Sequence, residues 1–112
     1  MEKEKEKLPA EFKGSVVSQA TLNPTHLIEN FVQFIEQNYP QDEGFIDFVA
    51  QKLKEEGCVT WEDYTKKNLE EAMYFLEDLF DYIGEIAPEG TIFGAHEGDG
   101  ALFGFWEVKE DE

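Results

Sequence analysis

The apolar pattern near the end of the chain alternates between large side chains and glycines. Between residues 88 and 108, two apolar runs flank the turn sequence Gly98-Asp99-Gly100. Apolar runs on both sides of such a turn are typical of a β-hairpin. The large apolar side chains of the two runs are Ile92, Phe93, Leu102, Phe103, Phe105 and Trp106. Because they occupy both strand faces, we expect one face to pack on helices and the other to form a pocket or a contact surface.

Two hairpin registers are compatible with the turn. A type II′ turn centred on residues 98–99 pairs Gly94 with Phe103, whereas a type I′ turn centred on residues 99–100 pairs Gly94 with Phe105. In both registers Gly94 lies opposite a phenylalanine whose ring can cover it. Glycine weakens a strand, so the glycines inside the hairpin are expected to mark a bulge, a bend or a close approach.

Helical spacing of apolar residues dominates the middle of the chain. The Asn-Pro pair at 23–24 supplies a cap and a first helical residue, and the first helix is predicted to end before Pro40. A second helix is predicted to open at Asp42 or Glu43 and to end at Gly57.

A third helical region follows Thr60, which has an acidic residue three positions later, as in a capping box. It forms one helix or two pieces around Thr65, and Gly84 and Pro88 end it. From residue 69 the apolar spacing has the helical period, which predicts one core seam. Its members are Leu69, Ala72, Met73, Leu76, Leu79, Phe80 and Ile83.

These elements predict an α+β fold in which three helices pack on a C-terminal β-hairpin. The apolar segment at 14–22 allows an N-terminal strand, which would make a small three-stranded antiparallel sheet. We assign residues 1–13 to a disordered charged tail, residues 14–108 to a single globular domain and residues 109–112 to an acidic tail.

Charge narrows the classes of partner. The 112 residues include 26 acidic and 9 basic side chains, giving a net charge of −17, and every basic residue is lysine. Residues 68–108 contain ten acids and no base. Such a charge repels nucleic acid and anionic membrane surfaces, so we expect neither as a direct partner. Two roles remain for this charge: it keeps the protein soluble and does nothing more, or it binds a strongly basic protein.

The third helical region carries the leading candidate site. Acidic helix faces usually face water. The absence of lysine favours a second interpretation, in which ordered carboxylates imitate a nucleic-acid backbone and occupy a basic groove. Trp106 is added as an aromatic anchor, although core packing is the more common role. The predicted contact residues are Glu70, Glu71, Glu77, Asp78, Asp81, Glu85, Glu97, Asp99 and Trp106.

A metal site is a weaker hypothesis. His96, Glu97 and Asp99 lie together near the hairpin turn, with His26 elsewhere in the chain, but their spacing matches no strong metal motif. We expect His96 to make a hydrogen bond within the turn and His26 to lie in the first turn of a helix. No cofactor and no catalytic residue are predicted, because the chain shows neither a nucleophile with a base nor two differently poised carboxylates.

A cytoplasmic location is expected. Cys58 has no cysteine partner in the sequence, which fits a reducing compartment. The chain has no apolar run long enough to span a bilayer, and its MEKEKEK start lacks the apolar segment of a signal peptide.

Two stretches together resemble a group of small, uncharacterised proteins encoded by bacteriophages and prophages. One stretch covers residues 18–28; the other runs from Ala87 through the FGAHEGDG sequence at 93–100 to the FGFW sequence at 103–106. The group commonly has an acidic residue where Leu102 stands here. The resemblance carries no activity with it, but it implies a bacterial host, in which small acidic phage proteins often block restriction or CRISPR nucleases.

The leading hypothesis is therefore a non-enzymatic phage-type protein that binds and inhibits a basic, nucleic-acid-handling host protein such as a nuclease. The alternative is a phage accessory or structural binding module that uses the hairpin aromatics. In that alternative, charge confers solubility only.

Overall fold

The computed structural model describes residues 6–96 and 98–107. Its elements are a 3₁₀ turn at Ala10–Phe12, strand β1 (Val16–Ser18), helices α1 (Pro24–Asn38), α2 (Glu43–Glu55), α3 (Trp61–Lys67) and α4 (Leu69–Ile86), and strands β2 (Thr91–His96) and β3 (Asp99–Glu107). This part of the chain is α+β, as predicted, but it has four helices where three were predicted. Glu97, the predicted acidic tail at 109–112 and residues 1–5 lie outside the described residues.

Polar side chains fix the starts of the first two helices at the predicted positions. Asn23 Oδ1 accepts the backbone N–H of Thr25 at 2.8 Å, with proline at the first helical position. Asp42 Oδ1 accepts the N–H of Phe45 at 3.1 Å. Each bond satisfies a donor that the first helical turn cannot pair internally, and it typically contributes about 1 kcal/mol.

The third helical region divides at Asn68 rather than at Thr65. Asn68 has extended dihedral angles (φ −153°, ψ 90°), ends α3 and caps α4 by accepting the N–H of Glu71 at 3.2 Å. The Thr60 cap was predicted, and it begins α3 as expected. Asn68 followed three residues later by Glu71 is itself a capping signature, so the sequence contained the signal for a fourth helix.

Residues 6–13 pack on the domain, which corrects their assignment to a disordered tail. Leu8 is buried, and its N–H donates to the carbonyl of Ile86 at 2.8 Å. The hydroxyl of Tyr39 donates to the carbonyl of Glu6 at 2.6 Å. An apolar residue in a charged stretch gave too weak a pattern for sequence reasoning to detect this contact.

The sheet has the antiparallel order β1-β3-β2, so the last strand is central. The N-terminal strand is present within the 14–22 segment, where Val16 pairs with Gly104. The backbone just before β1 is also hydrogen-bonded to the central strand β3. The N–H of Gly14 donates to the carbonyl of Phe105 at 2.7 Å, and the carbonyl of Ser15 accepts the N–H of Phe105 at 3.1 Å.

Both predicted hairpin registers are wrong. Gly94 lies opposite Gly104, and Phe93 lies opposite Phe105. The pairing then shifts by several residues beyond Ala95, so a bulge near the tip absorbs the mismatch between the turn and the strands. Gly94 is therefore not opposite a phenylalanine.

Helix α4 is rotated about its axis relative to the predicted seam. Phe75 and Tyr82 are buried although neither was assigned to the seam, whereas Leu69 and Met73 are exposed. The helix carries apolar residues over more than half of its circumference, so periodicity alone cannot select which part meets the core. The partners decide it: Phe75 stacks on Trp61 of α3, with ring centroids 5.1 Å apart.

Candidate partner-binding surface

The exposed side of α4 is divided lengthwise into two surfaces. At about 100° per residue, the buried residues occupy one arc of the helix. The next arc, here called the apolar strip, consists of Leu69, Met73, Leu76 and Phe80. The remaining arc spans about 120° and is here called the acidic face. It consists of Glu70, Glu71, Glu77, Asp78, Asp81 and Glu85, all exposed.

Among the described residues, no lysine is seen to pair with the carboxylates of Glu70, Glu71, Glu77, Asp78 or Asp81. Lys66 pairs with Glu62 at 3.2 Å and Lys67 with Glu56 at 3.8 Å, and both pairs lie outside α4. Lys52 lies over the rings of Phe48 and Phe75 instead. At the far end, Lys7 Nζ donates to the backbone carbonyl of Glu85 at 3.5 Å. Carboxylates at 70, 71, 77, 78 and 81 thus remain presented to solvent among the described residues.

Tyr74 stands in the middle of the acidic face and is 57% exposed. Tyrosine is one of the residue types enriched at the energetic centres of protein–protein interfaces. Sequence reasoning singled out the acids around Tyr74 and missed the ring.

A groove between α2 and α4 extends the acidic surface. It measures about 470 Å³, and Asp42 lies on one side with Asp78 and Asp81 on the other. Phe45 lines it and stacks on Tyr82 of α4, with ring centroids 3.8 Å apart. Nothing in the sequence predicts which helix packs beside the acids, so the contribution of α2 could be found only from the structure.

Tyr82 joins the two helices beneath this groove. Its hydroxyl donates to Asp42 Oδ2 at 2.7 Å. Burial raises the pKa of Tyr82 well above 10, and the hydrogen bond to Asp42 and the Asp42 charge raise the pKa further. The same carboxylate caps α2 through its other oxygen, so Asp42 connects the start of α2 to the middle of the acidic surface.

Asp99, an acidic candidate of the hairpin, has a different role from the acids of α4. Asp99 begins β3, and its Oδ1 accepts the N–H of Ala101 at 3.0 Å, which stabilises the tip. Glu97 lies outside the described residues. The predicted site therefore falls into a helical part, which the acidic face forms, and a hairpin part with internal hydrogen bonds.

Trp106 belongs to the face of the sheet that points away from the helices. Its indole N–H donates to the Gly94 carbonyl at 2.8 Å, and its ring lies against Gly104. Phe105, its neighbour in the strand, points to the core and is fully buried. Trp106 thus covers the glycine pair, and its indole is only partly exposed.

The histidines have the structural roles expected of them. His96 Nδ1 accepts the N–H of Gly98 at 2.9 Å, and its ring meets the edge of Trp106. His26 lies in the first turn of α1, with Nδ1 3.3 Å from Thr21 Oγ1. Across residues 6–96 and 98–107, histidine, cysteine and carboxylate side chains nowhere gather in a group of three that could hold a metal ion.

By its fold the chain is a small α+β domain with a three-stranded antiparallel sheet and an acidic helix at the surface. Comparison with known proteins gives no match, whether to a family model, a curated protein or a solved structure. Among the described residues, no helix combines the length and the apolar character that a bilayer crossing requires.

Proposed function

We propose that this protein binds a basic, nucleic-acid-handling protein through the acidic face of α4 and inhibits it by occupying its nucleic-acid groove. The observation that carries the proposal is the arrangement of six exposed acids on one arc of a rigid helix. A basic groove presents lysines and arginines to a regular row of phosphates, and an ordered row of carboxylates satisfies the same cations. The phage-type setting suggested by the sequence motifs makes a bacterial nuclease the partner we would test first.

Local energetics support a binding role for these acids. Glu77 and Asp81, and also Asp81 and Glu85, are spaced four residues apart, and like charges at that spacing each destabilise a helix by about 0.2–0.5 kcal/mol. The last turn of α4 also has no basic residue, although a cation there would interact favourably with the helix dipole. A surface that served solubility alone gains nothing from concentrating one sign of charge at these positions.

A charge-reversal experiment tests the proposal. The test variant changes Glu70, Glu77, Asp78 and Asp81 to lysine, and the matched control changes four exposed acids elsewhere, Glu11, Glu29, Glu36 and Glu89, to lysine. Each variant moves the net charge from −17 to −9, since each substitution adds two units. Only the position of the charge therefore differs between them.

We expect the wild type and the control variant to retain basic nucleic-acid-binding proteins from a bacterial lysate at low salt and to release them at high salt. We expect the test variant to retain none of these proteins. A purified retained protein should then lose its nucleic acid when the wild-type protein is added, measured by fluorescence anisotropy of a labelled oligonucleotide. Equal loss of capture by both variants, or capture by the test variant, would contradict the proposal.

The outer face of the sheet favours a second candidate, a binding module that uses the hairpin. Ile92 is 58% exposed and Val16 is 45% exposed on this face, beside the partly covered Trp106. In that case Ile92→Ser should abolish capture, whereas the α4 charge-reversal variant should keep it. Ile92 is a better probe than Trp106, because loss of the indole would also uncover the glycine pair that it shields.

A further inference from the structure

The apolar strip of α4 borders a groove that the acidic face does not explain. Six side chains from α1, α4 and β3 form an opening of about 220 Å³ whose exposed lining is apolar throughout. These side chains are Leu27, Phe31, Met73, Leu76, Phe80 and Phe103. Glu77, a member of the acidic face, stands at its rim.

The floor of this groove is built by three rings that hold one another in place. The ring centroids of Phe31, Phe80 and Phe103 lie 6.0–6.4 Å apart in all three pairs. Met73, by contrast, is 44% exposed, and Leu69 further along the strip is 55% exposed. A rigid apolar floor beneath a flexible exposed methionine suits a pocket that accepts an apolar side chain of varying shape.

The size of the groove selects the kind of occupant. Sites for small molecules commonly measure about 300–1,000 Å³, so this opening is smaller than most of them. One large apolar side chain matches it. The lining offers no polar group other than Glu77 to orient a cofactor, which again favours a side chain from a partner protein.

Charge then selects the partner. On the helix surface Met73 neighbours Glu77, four residues later, and Glu70, three residues earlier, so a segment that crosses between the groove and the acidic face passes over carboxylates. A second copy of this chain would bring its own net charge of −17 against them. A cationic segment is attracted by the same carboxylates that repel the copy.

Resting on the proposed function, we propose that the apolar groove receives one large apolar side chain from the basic partner, while lysine or arginine residues next to that side chain pair with Glu77 and Glu70. The apolar insertion supplies most of the residence time, and the acidic face supplies attraction and orientation. Specificity among basic proteins then depends on whether an apolar residue flanks their cations.

Synthetic peptides test this proposal on the whole protein. The probe is a helical peptide of about 15 residues with a leucine stripe bordered by lysines. One control replaces the leucines by serine and keeps the lysines; the other replaces the lysines by glutamine and keeps the leucines. Isothermal titration calorimetry measures affinity, and methyl NMR spectra locate the peptide through the signals of Met73 and Leu76.

We expect the leucine-lysine peptide to bind about tenfold more tightly than the serine control, the difference made by one buried side chain. The glutamine control should also bind more weakly, because it lacks the charges that pair with Glu77 and Glu70. Met73→Ser should remove the advantage over the serine control, whereas Val59→Ser, a matched change at a residue that is 84% exposed and belongs to neither proposed surface, should not. If the serine control binds as tightly as the probe and Met73→Ser changes nothing, the groove proposal fails while the acidic-face proposal stands. If no lysine-containing peptide binds the wild type, the groove proposal and the acidic-face proposal both fail. If the peptide shifts the methyl signal of Ile92 instead of that of Met73, the groove proposal fails.

Discussion

At the scale of single residues, the pair Gly94 and Gly104 shows how little room the centre of the sheet has. A Cβ atom at Gly104 would meet the Ser15 carbonyl oxygen of the neighbouring backbone and would lie 2.9 Å from Trp106 Cζ2. The strand glycines were predicted to mark a bulge, a bend or a close approach. The structure confirms this at Gly104, with the indole of Trp106 supplying the cover that a phenylalanine was expected to give.

Replacing Gly104 by alanine should therefore destabilise the fold. We expect Gly104→Ala to lower the free energy of unfolding by about 1–3 kcal/mol, as overpacking usually does. Gly100→Ala is the matched control, because a Cβ atom there meets no heavy atom within 4 Å. Urea denaturation followed by tryptophan fluorescence measures both, and an equal effect of the two substitutions would refute the close-approach argument.

Tyr82 gives a prediction for alkaline pH. Burial and the hydrogen bond to Asp42 raise the pKa of Tyr82, and burial also raises the pKa of Tyr64, so both hold their protons in the folded protein above pH 10.0, where unfolded tyrosine releases them. The unfolded chain then binds fewer protons, and the free energy of unfolding should fall as the pH rises above 10. Below pH 10 the stabilisation that Tyr82 and Tyr64 give to the folded state is fully present.

Tyr82→Phe isolates one of these two groups. It should lower stability by about 1 kcal/mol at neutral pH through loss of the Asp42 hydrogen bond, and it should make the alkaline fall less steep. Tyr74→Phe serves as the control, since that exposed side chain should change neutral stability by less than about 0.5 kcal/mol. Thermal unfolding measured from neutral to strongly alkaline pH checks this prediction. If stability falls with pH as steeply in Tyr82→Phe as in the wild type, the prediction is wrong.

At the scale of elements, the sequence predicted where the helices begin better than how they are rotated about their axes. The caps at Asn23, Asp42 and Thr60 are local, because each bonds to a backbone N–H within three residues. The rotation of α4 is not local: it depends on Trp61 and on the other elements that the helix meets. Apolar residues in both the buried arc and the apolar strip gave the same periodicity, so the sequence could not separate core from groove.

The concentration of acids on α4 has a consequence for the stability of that helix. Asp81 has Glu77 and Glu85 four residues away on either side, so Asp81→Asn removes two repulsive pairs at that spacing, besides the repulsion from Asp78 three residues earlier. We expect it to raise the free energy of unfolding by about 0.4–1 kcal/mol at low salt and by much less at high salt, where screening weakens the repulsion. Urea titrations at both salt concentrations measure this, with Glu36→Gln on α1 as the control. A gain that persists undiminished at high salt would show that repulsion is not its cause.

At the scale of the whole molecule, composition and pattern were enough to predict the α+β class, the presence of an N-terminal strand and the acidic helix. They were not enough to predict what lies beside that helix. The groove with Asp42 and Phe45, and the groove with Leu27 and Phe103, join residues that are far apart in the sequence. Such contacts depend on long-range packing, which leaves no signal in a single amino-acid sequence.

The lengthwise division of α4 separates the buried residues that hold the helix in place from the exposed acids that we propose for binding. The buried residues, the apolar strip and the acidic face occupy three different arcs, but Leu76 and Phe80 of the apolar strip also pack against the core. Substitutions on the acidic face can therefore accumulate with little loss of the core, because its six carboxylates are exposed. On the proposed function, a lineage carrying this helix would follow a changing target through substitutions on that face alone and keep one scaffold throughout.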